Sequence, residues 1–337
     1  MKKVRIGIIG AGRIGRVHAQ SITNGIPQAE IVAISDPFME AAKKAAETFG
    51  IPNTYSDYHE ILNDPSINAV LICSPTNTHA DIAMEAARAG KHIFCEKPID
   101  TTVSKILETQ KVIKESGVKM QIGFNRRFDH NFRRIRALTE EGKLGKVQII
   151  KITSRDPEPP SPEYAKNSGG MFLDMTIHDF DMACFQAGSE VTEVFAVGAV
   201  TVDPEIGKAG DIDTAVITLR FENGAIAIID NCRKAIYGYD QRVEVFGTNG
   251  SAIAENDTET TVKFSSKDSV CSDKPLYFFL ERYMQSFGDE MRSFIDAIQN
   301  QTEVPVTIED GLKPIKIAIA AKKSMLENRP VKLSEIQ

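Results

Sequence analysis

The sequence predicts an α/β domain with a parallel sheet, followed by an α+β domain with an open, mainly antiparallel sheet. Up to about residue 122, short apolar runs alternate with helical segments, which is typical of parallel strands joined by helical crossovers. From residue 123 onward, longer β-branched segments pair across glycine-containing turns, as antiparallel hairpins do. We therefore expect a first domain over residues 1–122 and a second over residues 123–337.

Length and composition exclude several classes of protein. A chain of 337 residues is long enough for two cores, and 26% charged with 42% hydrophobic residues is ordinary for a soluble globular protein. The net charge of -6 and the pI near 5.7 argue against general binding of nucleic acid or anionic membranes. No apolar run is long enough for a membrane span. The five cysteines form no CxxC pair, which favours a reducing compartment, so we expect a cytoplasmic protein.

The apolar and helical runs place the individual elements. The strand-like runs of the first domain lie at 4–10, 30–36, 68–74, 92–98 and 118–124. Helical segments at 39–50 and 78–90 end in glycine, as helices often do. For the second domain the patterns predict a strand at 190–202, hairpins at 214–231 and 241–255, and helices at 277–300 and 309–327.

A glycine motif follows the first strand. Gly10, Gly12 and Gly15 form G-x-G-x-x-G, in which the first permits a tight turn, the second lets a pyrophosphate approach the backbone, and the third lets helix and strand pack closely. The helix that starts here offers free N–H groups to phosphates, so we also assign Arg13 and Ile14 to the cofactor site. The alternative is a glycine turn without a cofactor.

Asp36 ends the second predicted strand, about 20 residues beyond the glycine motif, where an acidic side chain can accept hydrogen bonds from the adenosine ribose. Its charge repels a 2′-phosphate, and the next two residues add no cation. The first domain is therefore predicted to be a Rossmann domain that binds NAD in preference to NADP.

Two further loops follow predicted strands at the edge of the sheet where ligands bind. From the first loop we assign four cofactor-binding residues, Ser74, Pro75, Asn77 and His79. Its alternative role is a helix start capped by Thr76 or Asn77. The second loop, CEKP (95–98), presents Glu96 and Lys97, which we also assign to the cofactor site. The alternative there is a solvated pair of charges at a strand end.

The stretch GGMFLDMTIHDFDM (169–182) is apolar almost all round when wound as one helix, except for a narrow polar face. Asp174, His178 and Asp181 form that face at i, i+4 and i+7. Unpaired charge is costly in an interior, so the face needs a partner. Three interpretations are open: a catalytic site, a buried polar network, or a metal site.

The motifs EKP (96–98), GFNRRFD (123–129) and GGMFLDMTIHDFD (169–181) together resemble those of the glucose-fructose oxidoreductase / inositol dehydrogenase / rhizopine-catabolism family. The resemblance covers essentially the whole chain. Within the family the chain is most similar to the bacterial inositol 2-dehydrogenases, through GFNRRF and the spacing from Asp174 to His178. Relatives that act on other sugars and polyols share the same framework.

The resemblance implies a Rossmann domain that holds NAD and a second domain whose large open sheet commonly mediates homodimers or homotetramers. It implies that the active site lies between the domains and binds a small polyol or sugar. Lys97 matches the family's catalytic lysine, and Asp174 and His178 match its aspartate–histidine pair. Three further positions correspond to or lie near polyol contacts, namely Arg127, Asp156 and Tyr237.

Residue chemistry agrees with these implications. Oxidation of a secondary alcohol needs a base for the hydroxyl proton, and histidine suits neutral pH. We assign His178 as that base, Asp174 as the group that orients it, and Lys97 as the donor to the reacting oxygen. We expect no metal. The predicted reaction is NAD-dependent oxidation of a cyclic polyol, foremost myo-inositol to 2-keto-myo-inositol.

Other functions remain open at this point. Within the same family, the chain could be a sugar dehydrogenase or an aldose reductase. A redox-sensing NAD-binding regulator is a different class, but it would lack a proton-transfer constellation or carry an added DNA-binding segment. A glycosidase that uses NAD transiently would give no net reduction of free NAD.

Overall fold

The structure is a computed structural model that describes residues 2–336, apart from the side chain of residue 167. The chain divides into two compact units. The first comprises Met1–Phe128 and Met284–Ile315, and the second comprises Asp129–Tyr283 and Lys316–Gln337. Within the described residues, no helix combines the length and the apolar character that crossing a membrane requires.

The elements follow one another along the chain. The strands are β1 (Val4–Ile9), β2 (Ala29–Ser35), β3 (Asn53–Tyr55), β4 (Ala69–Ile72), β5 (His92–Glu96), β6 (Met120–Gly123), β7 (Val147–Arg155), β8 (Val191–Ala199), β9 (Thr214–Phe221), β10 (Ile226–Cys232), β11 (Asp240–Gly247), β12 (Gly250–Ala254), β13 (Lys263–Ser265), β14 (Val270–Ser272) and β15 (Val331–Lys332). The helices are α1 (Arg13–Gly25), α2 (Met39–Phe49), α3 (His59–Asn63), α4 (Thr76–Arg88), α5 (Val103–Ser116), α6 (His130–Glu140), α7 (Pro162–Asn167), α8 (Met171–Asp174), α9 (Ile177–Ala187), α10 (Pro204–Lys208), α11 (Phe279–Arg282), α12 (Met284–Asn300) and α13 (Ile308–Glu327). Short 3₁₀ turns lie at Asn125–Phe128 and Leu333–Glu335.

The first unit is built on a parallel sheet with the strand order β3-β2-β1-β4-β5-β6. Strand order reverses between β1 and β4, which is the topology of a Rossmann fold. The loops after β1, β2, β4 and β5 therefore emerge at the same edge, where such sheets bind their ligands. This confirms the α/β fold predicted for the N-terminal half.

The return of residues 284–315 to the first unit differs from the predicted boundary at residue 122. The sequence prediction placed every later residue in the second domain. Helix α12 instead packs in the first unit, because its apolar side chains Met291, Phe294 and Ile295 belong to the same core as Ile6 of β1. Nothing in the local pattern of a helix tells which of two cores will bury it.

The second unit is built on a seven-stranded sheet with the order β12-β11-β7-β10-β9-β8-β15. Its neighbours pair antiparallel except β7 and β10, which are parallel. The predicted strand near 190–202 and both predicted hairpins are present, as β8, β9–β10 and β11–β12. The central strand β7 was not predicted. The open, mainly antiparallel sheet of the predicted fold class is confirmed.

One face of this sheet exposes large apolar side chains. Alternate residues of each strand are buried, as Ile217 and Ile229 show, while their neighbours in sequence face outward. The outward set includes Ile149, Val197, Val216, Ile226, Ile228 and Phe246, each at least 38% exposed. Pairing aligns them in rows, since Ile149 lies between Ile226 and Phe246. We call this set the open apolar face.

Candidate active site

The turn after β1 has the shape that a pyrophosphate requires. Gly10 has a φ of +105°, which glycine alone adopts without strain. A Cβ atom on Gly15 would lie 2.1 Å from the Gly10 carbonyl oxygen, so glycine is needed there for helix–strand packing. A Cβ on Gly12 would meet nothing within 4 Å, and no side chain caps α1. Exposed Arg13 and half-buried Ile14 begin that helix. The residues present therefore fit a dinucleotide.

Asp36 is held in a fixed orientation directly after β2. Its Oδ2 accepts a hydrogen bond from the Ala11 N–H at 2.9 Å, and its Oδ1 accepts one from the Phe38 N–H at 2.9 Å. The first contact ties the carboxylate to the glycine turn itself. A half-buried carboxylate in this place suits a ribose diol and disfavours a 2′-phosphate.

The loop after β4 leads directly into α4, which begins at Thr76 with Pro75 as its N-cap residue. The loop is thus a helix start, as the alternative role held, but neither Thr76 nor Asn77 is its capping residue. Asn77 lies exposed in the first turn, whereas Ser74 is half-buried and its hydroxyl contacts that of Thr78 at 2.7 Å. Ser74, Pro75 and Asn77 thus lie at the ligand-binding edge of the sheet.

His79 differs from its predicted contact with the cofactor. It is 2% exposed, and its two ring nitrogens each contact a backbone carbonyl. Nδ1 lies 2.8 Å from the Pro98 oxygen, and Nε2 lies 2.7 Å from the Ser74 oxygen. With both nitrogens engaged, the ring has no atom left for a ribose or nicotinamide group. His79 joins two loops instead.

Glu96 and Lys97 come at the end of β5 in different environments. The Glu96 carboxylate is buried and lies 2.6 Å from Nε2 of His18 on α1, so it is not the solvated charge considered as an alternative. The Glu96 carboxylate also affects its neighbour Cys73. Burial and the nearby charge of Glu96 raise the pKa of the Cys73 thiol, so that cysteine is a poor nucleophile. Lys97 is half-buried directly beyond the strand.

Arg127 lies in the 3₁₀ turn after β6, and its guanidinium donates to Asp310 of α13 at 3.2 Å within the first unit. Burial opposes ionisation of Asp310, but the Arg127 charge and hydrogen bonds from Thr307 outweigh it and lower the pKa of that carboxyl. The sequence predicted a polyol contact for Arg127.

The stretch from 169 to 182 is interrupted rather than one regular helix. Helix α8 ends at Asp174 and α9 begins at Ile177. The N–H of Thr176 donates to the carbonyl of Met171, five residues earlier, so one extra residue is accommodated between the helices. The prediction of a single helical face is wrong for Asp181, which is completely buried, whereas Asp174 and His178 remain half-buried.

Asp174 lies in a polar cluster of the second unit. Its Oδ1 accepts from the Tyr164 hydroxyl at 2.9 Å, and its Oδ2 accepts from Arg233 Nη1 at 3.0 Å. Asp156 Oδ2 also lies near this nitrogen, at 3.8 Å from Nη1. The Arg233 side chain is only 3% exposed, so two carboxylates neutralise a buried cation. The structure therefore brings the predicted residues Asp156 and Asp174 together.

Sequence reasoning missed Arg233 and Tyr164. Arg233 follows β10, and its backbone N–H donates to the Asp213 carbonyl, which fixes the chain at that point. No motif or spacing connects it with Asp174. The one signal available was a cation directly after an apolar strand in a domain already expected to carry two site carboxylates.

Tyr237 belongs to a neighbouring network. Its hydroxyl donates to Asp240 at 2.6 Å and accepts from Arg155 at 3.1 Å. Burial opposes ionisation of Asp240, but hydrogen bonds from Arg242, Tyr237 and Asn256 outweigh it and lower the pKa of the carboxyl. The Tyr237 side chain is about two-fifths exposed, at 39%. Tyr237 is thus linked through Arg155 to the strand end that carries Asp156.

A metal site at Asp174, His178 and Asp181 was one interpretation of the sequence. Among residues 2–336, the grouping with suitable ligand atoms is instead Asp129, His130 and Asp257. Arg282 contacts both carboxylates of that group and supplies the positive charge that a cation would otherwise bring. We therefore interpret this cluster as an ion-pair network.

Comparison with known proteins agrees with the fold and the glycine motif. Residues 4–124 match an oxidoreductase family with an NAD-binding Rossmann fold, and residues 132–253 match the GFO/IDH/MocA C-terminal domain. An uncharacterized oxidoreductase from Bacillus subtilis is 52% identical over 100% of this chain and 98% of its own length. A myo-inositol 2-dehydrogenase from Thermotoga maritima is 47% identical over 99% of both chains.

A solved structure extends the comparison to three dimensions. The crystal structure of scyllo-inositol dehydrogenase from Lactobacillus casei, with bound NAD(H) and scyllo-inositol, superimposes with a TM-score of 0.92 at 33% identity. It covers 99% of this chain and 100% of the other. Two domain matches and full-length relatives confirm the resemblance seen in the motifs. The chain belongs to the GFO/IDH/MocA family of oxidoreductases, whose N-terminal domain is an NAD-binding Rossmann fold.

Proposed function

We propose that the chain oxidises a secondary alcohol of a cyclic polyol with NAD, and that its preferred reaction converts myo-inositol to 2-keto-myo-inositol. The observation that carries this proposal is the half-buried carboxylate of Asp174, held by Arg233, with half-buried His178 four residues further along the chain. Relatives named as inositol 2-dehydrogenases, at 47% and 44% identity over nearly the whole chain, support the choice of substrate.

The residues of the chain divide the chemistry among them. Bound NAD supplies the acceptor for the hydride that leaves the alcohol carbon. His178 accepts the hydroxyl proton, and Asp174 stabilises the charge that the imidazole then carries. Lys97 donates a hydrogen bond to the reacting oxygen and stabilises negative charge that develops there. The remaining hydroxyl groups are bound by Arg127, Asp156 and Tyr237.

The ion pair with Arg233 explains how Asp174 can perform its role. A carboxylate held by hydrogen bonds from Tyr164 and Arg233 cannot rotate freely. A fixed negative charge near the base stabilises an imidazolium without reorganisation during the reaction. Asp156, which lies near the same Arg233 nitrogen, shares the positive charge and leaves part of the Asp174 charge for the histidine.

The experiment that tests the function is NADH formation with a panel of myo-, scyllo- and chiro-inositol and several aldoses. We expect the highest kcat/KM with an inositol. Higher kcat/KM with an aldose would favour the alternative, a sugar dehydrogenase or aldose reductase of the same family. NAD binding without turnover of any of these compounds would instead favour an NAD-binding redox sensor.

The Asp36 carboxylate is expected to determine the choice of cofactor. Replacing Asp36 by alanine removes two charge-assisted hydrogen bonds to the ribose, so kcat/KM for NAD should fall about tenfold to a hundredfold. Adding Pro37→Arg to Asp36→Ala should raise kcat/KM for NADP, because a guanidinium binds the 2′-phosphate. Steady-state rates with both cofactors measure this, with Pro37→Arg alone as the control. Equal use of NAD and NADP by the wild type would contradict the assignment.

We further propose a homodimer or homotetramer formed through the open apolar face. Contiguous exposed apolar area of this kind marks interaction surfaces, and the rows across β7, β10 and β11 present such an area to a second copy. The five thiols are free, which suits a cytoplasmic enzyme. We propose no nucleic-acid, membrane or metal partner.

Lysine at Val216 or Ile228 is expected to dissociate the assembly, because a charge would be buried in the apolar contact. Light scattering after size exclusion measures the mass of each variant. The matched control is Leu326→Lys, since Leu326 is 71% exposed on α13 and lies outside the open apolar face. A wild type that is monomeric, or variants that keep the wild-type mass, would exclude this interface.

A further inference from the structure

The segment Glu96–Pro98, called here the lysine segment, is anchored on both sides of Lys97. On one side, the Glu96 carboxylate lies 2.6 Å from Nε2 of His18. On the other, the Pro98 carbonyl lies 2.8 Å from Nδ1 of His79. Two histidines from two different helices, α1 and α4, thus contact the two residues that flank Lys97.

Both anchors lie in the interior of the first unit. His18 and His79 are 0% and 2% exposed, so water does not compete for their contacts. The Glu96 carboxylate has little room to move, since a Cβ atom on Gly123 of the neighbouring strand would lie 3.0 Å from its Oε2. The lysine segment is therefore fixed more firmly than a surface loop would be.

Core stability alone does not account for His18. Its Nδ1 is buried without a hydrogen-bond partner among the described residues. Phe94 and Phe287 pack edge-on against the ring at centroid distances of 4.9 and 5.7 Å. An apolar side chain would fill this space without burying an unsatisfied nitrogen. The contact that only a polar residue can make here is the one to Glu96.

His79 makes its two contacts with acceptors, because a backbone carbonyl accepts hydrogen bonds and never donates them. The ring nitrogen that carries the proton therefore donates to the carbonyl beside it. The contact between Nε2 and the Ser74 carbonyl, five residues earlier, places the ring at the start of α4. The contact between Nδ1 and the Pro98 carbonyl reaches the lysine segment, 19 residues further along the chain.

We propose that His18 and His79 are positioning residues for the reaction, which hold the lysine segment so that the Lys97 amine stays in its productive place. This inference rests on the proposed function of Lys97. Both histidine side chains are buried, so they are not assigned a contact with substrate or cofactor. They act through Glu96 and Pro98, and displacement of a catalytic group by about 1 Å can cost a hundredfold in rate.

Substitution of each histidine by asparagine or by glutamine distinguishes the contact made by Nδ1 from the contact made by Nε2. The asparagine amide nitrogen can occupy the place of Nδ1, and the glutamine amide nitrogen that of Nε2. At position 79, His79→Asn therefore keeps the bond to Pro98, whereas His79→Gln keeps only the bond to Ser74. At position 18 the preference reverses, since His18→Gln keeps the bond to Glu96 and His18→Asn loses it.

Two readouts test the proposal on the full chain. The first is amide hydrogen exchange of residues 94–99 without cofactor, which is independent of activity. We expect exchange at least tenfold faster in His79→Gln than in His79→Asn, and in His18→Asn than in His18→Gln. The second is kcat with NAD and myo-inositol, expected to be lower by about tenfold or more in the same two variants, with KM for NAD little changed.

Equal exchange and equal kcat within each pair would overturn the proposal, as would losses of kcat that follow melting temperature alone. If a position-18 variant does not fold, Glu96→Gln against Glu96→Leu tests the same contact, because only glutamine keeps an acceptor oxygen for His18. Lys97→Ala is measured in parallel. Normal turnover in Lys97→Ala refutes the role of Lys97, whereas the exchange data still decide whether the histidines hold the segment.

Discussion

Replacement of His178 by alanine is expected to lower kcat by about a hundredfold to ten-thousandfold, the range for loss of a positioned general base. The fold should survive, because the side chain is half-buried and lies in the first turn of α9, where its backbone N–H still reaches the Met175 carbonyl. Wild-type activity should also fall in acid, since a protonated imidazole cannot accept the hydroxyl proton. Steady-state rates, a pH profile and thermal melts measure these effects.

Variants of the Asp174 cluster serve as controls for His178. Asp174→Asn keeps the shape but removes a charge from beside the buried Arg233, so both turnover and the free energy of unfolding should fall. Asp156 still faces Arg233 at 3.8 Å and limits the loss of stability. Tyr164→Phe removes only one hydrogen bond to Asp174 and should cost about 1 kcal/mol or less in stability.

The outcomes distinguish the three interpretations that the sequence left open. Full activity with a lowered melting temperature in His178→Ala would show that the residue belongs to a structural network. Loss of wild-type activity to a chelator, with recovery on adding a metal, would replace the base by a metal site. A large loss of kcat at a nearly unchanged melting temperature, with no effect of chelator, supports the base.

The parts of the structure that could be predicted from sequence depend on local patterns. Glycines at 10, 12 and 15 and the carboxylate of Asp36 lie within one strand–helix–strand unit, so the Rossmann fold and its NAD site followed from their spacing. The hairpin at 214–231 followed from alternating apolar residues on either side of a glycine-containing turn. In each case the interacting residues lie within about 30 positions of one another, in a unit of known geometry.

The parts that could not be predicted depend on contacts between residues far apart in sequence. Helix α12 is amphipathic, but its pattern does not say that Phe294 will pack in the core of the first unit. His79 and Pro98 are 19 positions apart, and Arg233 lies 59 positions from Asp174. A motif identifies which residues carry the chemistry, whereas the residues that hold them in place are identified only by the folded chain.

Replacement of Lys97 by alanine is expected to lower kcat by about a hundredfold or more while NAD binding stays close to normal. The amine is proposed to stabilise the reacting oxygen only as charge develops, so its loss raises the barrier more than it weakens ground-state binding. Steady-state kinetics with myo-inositol, together with NAD titration by isothermal calorimetry, separate these two effects.

The chain supplies a matched control at the other end of the same strand. Lys91 comes directly before β5 and Lys97 directly after it. The Lys91 amine donates to the carbonyls of Asp64 and Ile67 at 2.6 and 2.9 Å, and burial lowers its pKa, as expected for a structural lysine. Lys91→Ala should therefore lower the melting temperature and leave kcat within about twofold, because both carbonyls lose a buried donor but no reacting group is touched.

The reverse pattern in Lys97→Ala, with kcat lost and stability kept, is the signature of a group that acts on the substrate. Near-normal kcat in Lys97→Ala would reduce Lys97 to a charge at a strand end and leave the reacting oxygen without its proposed donor.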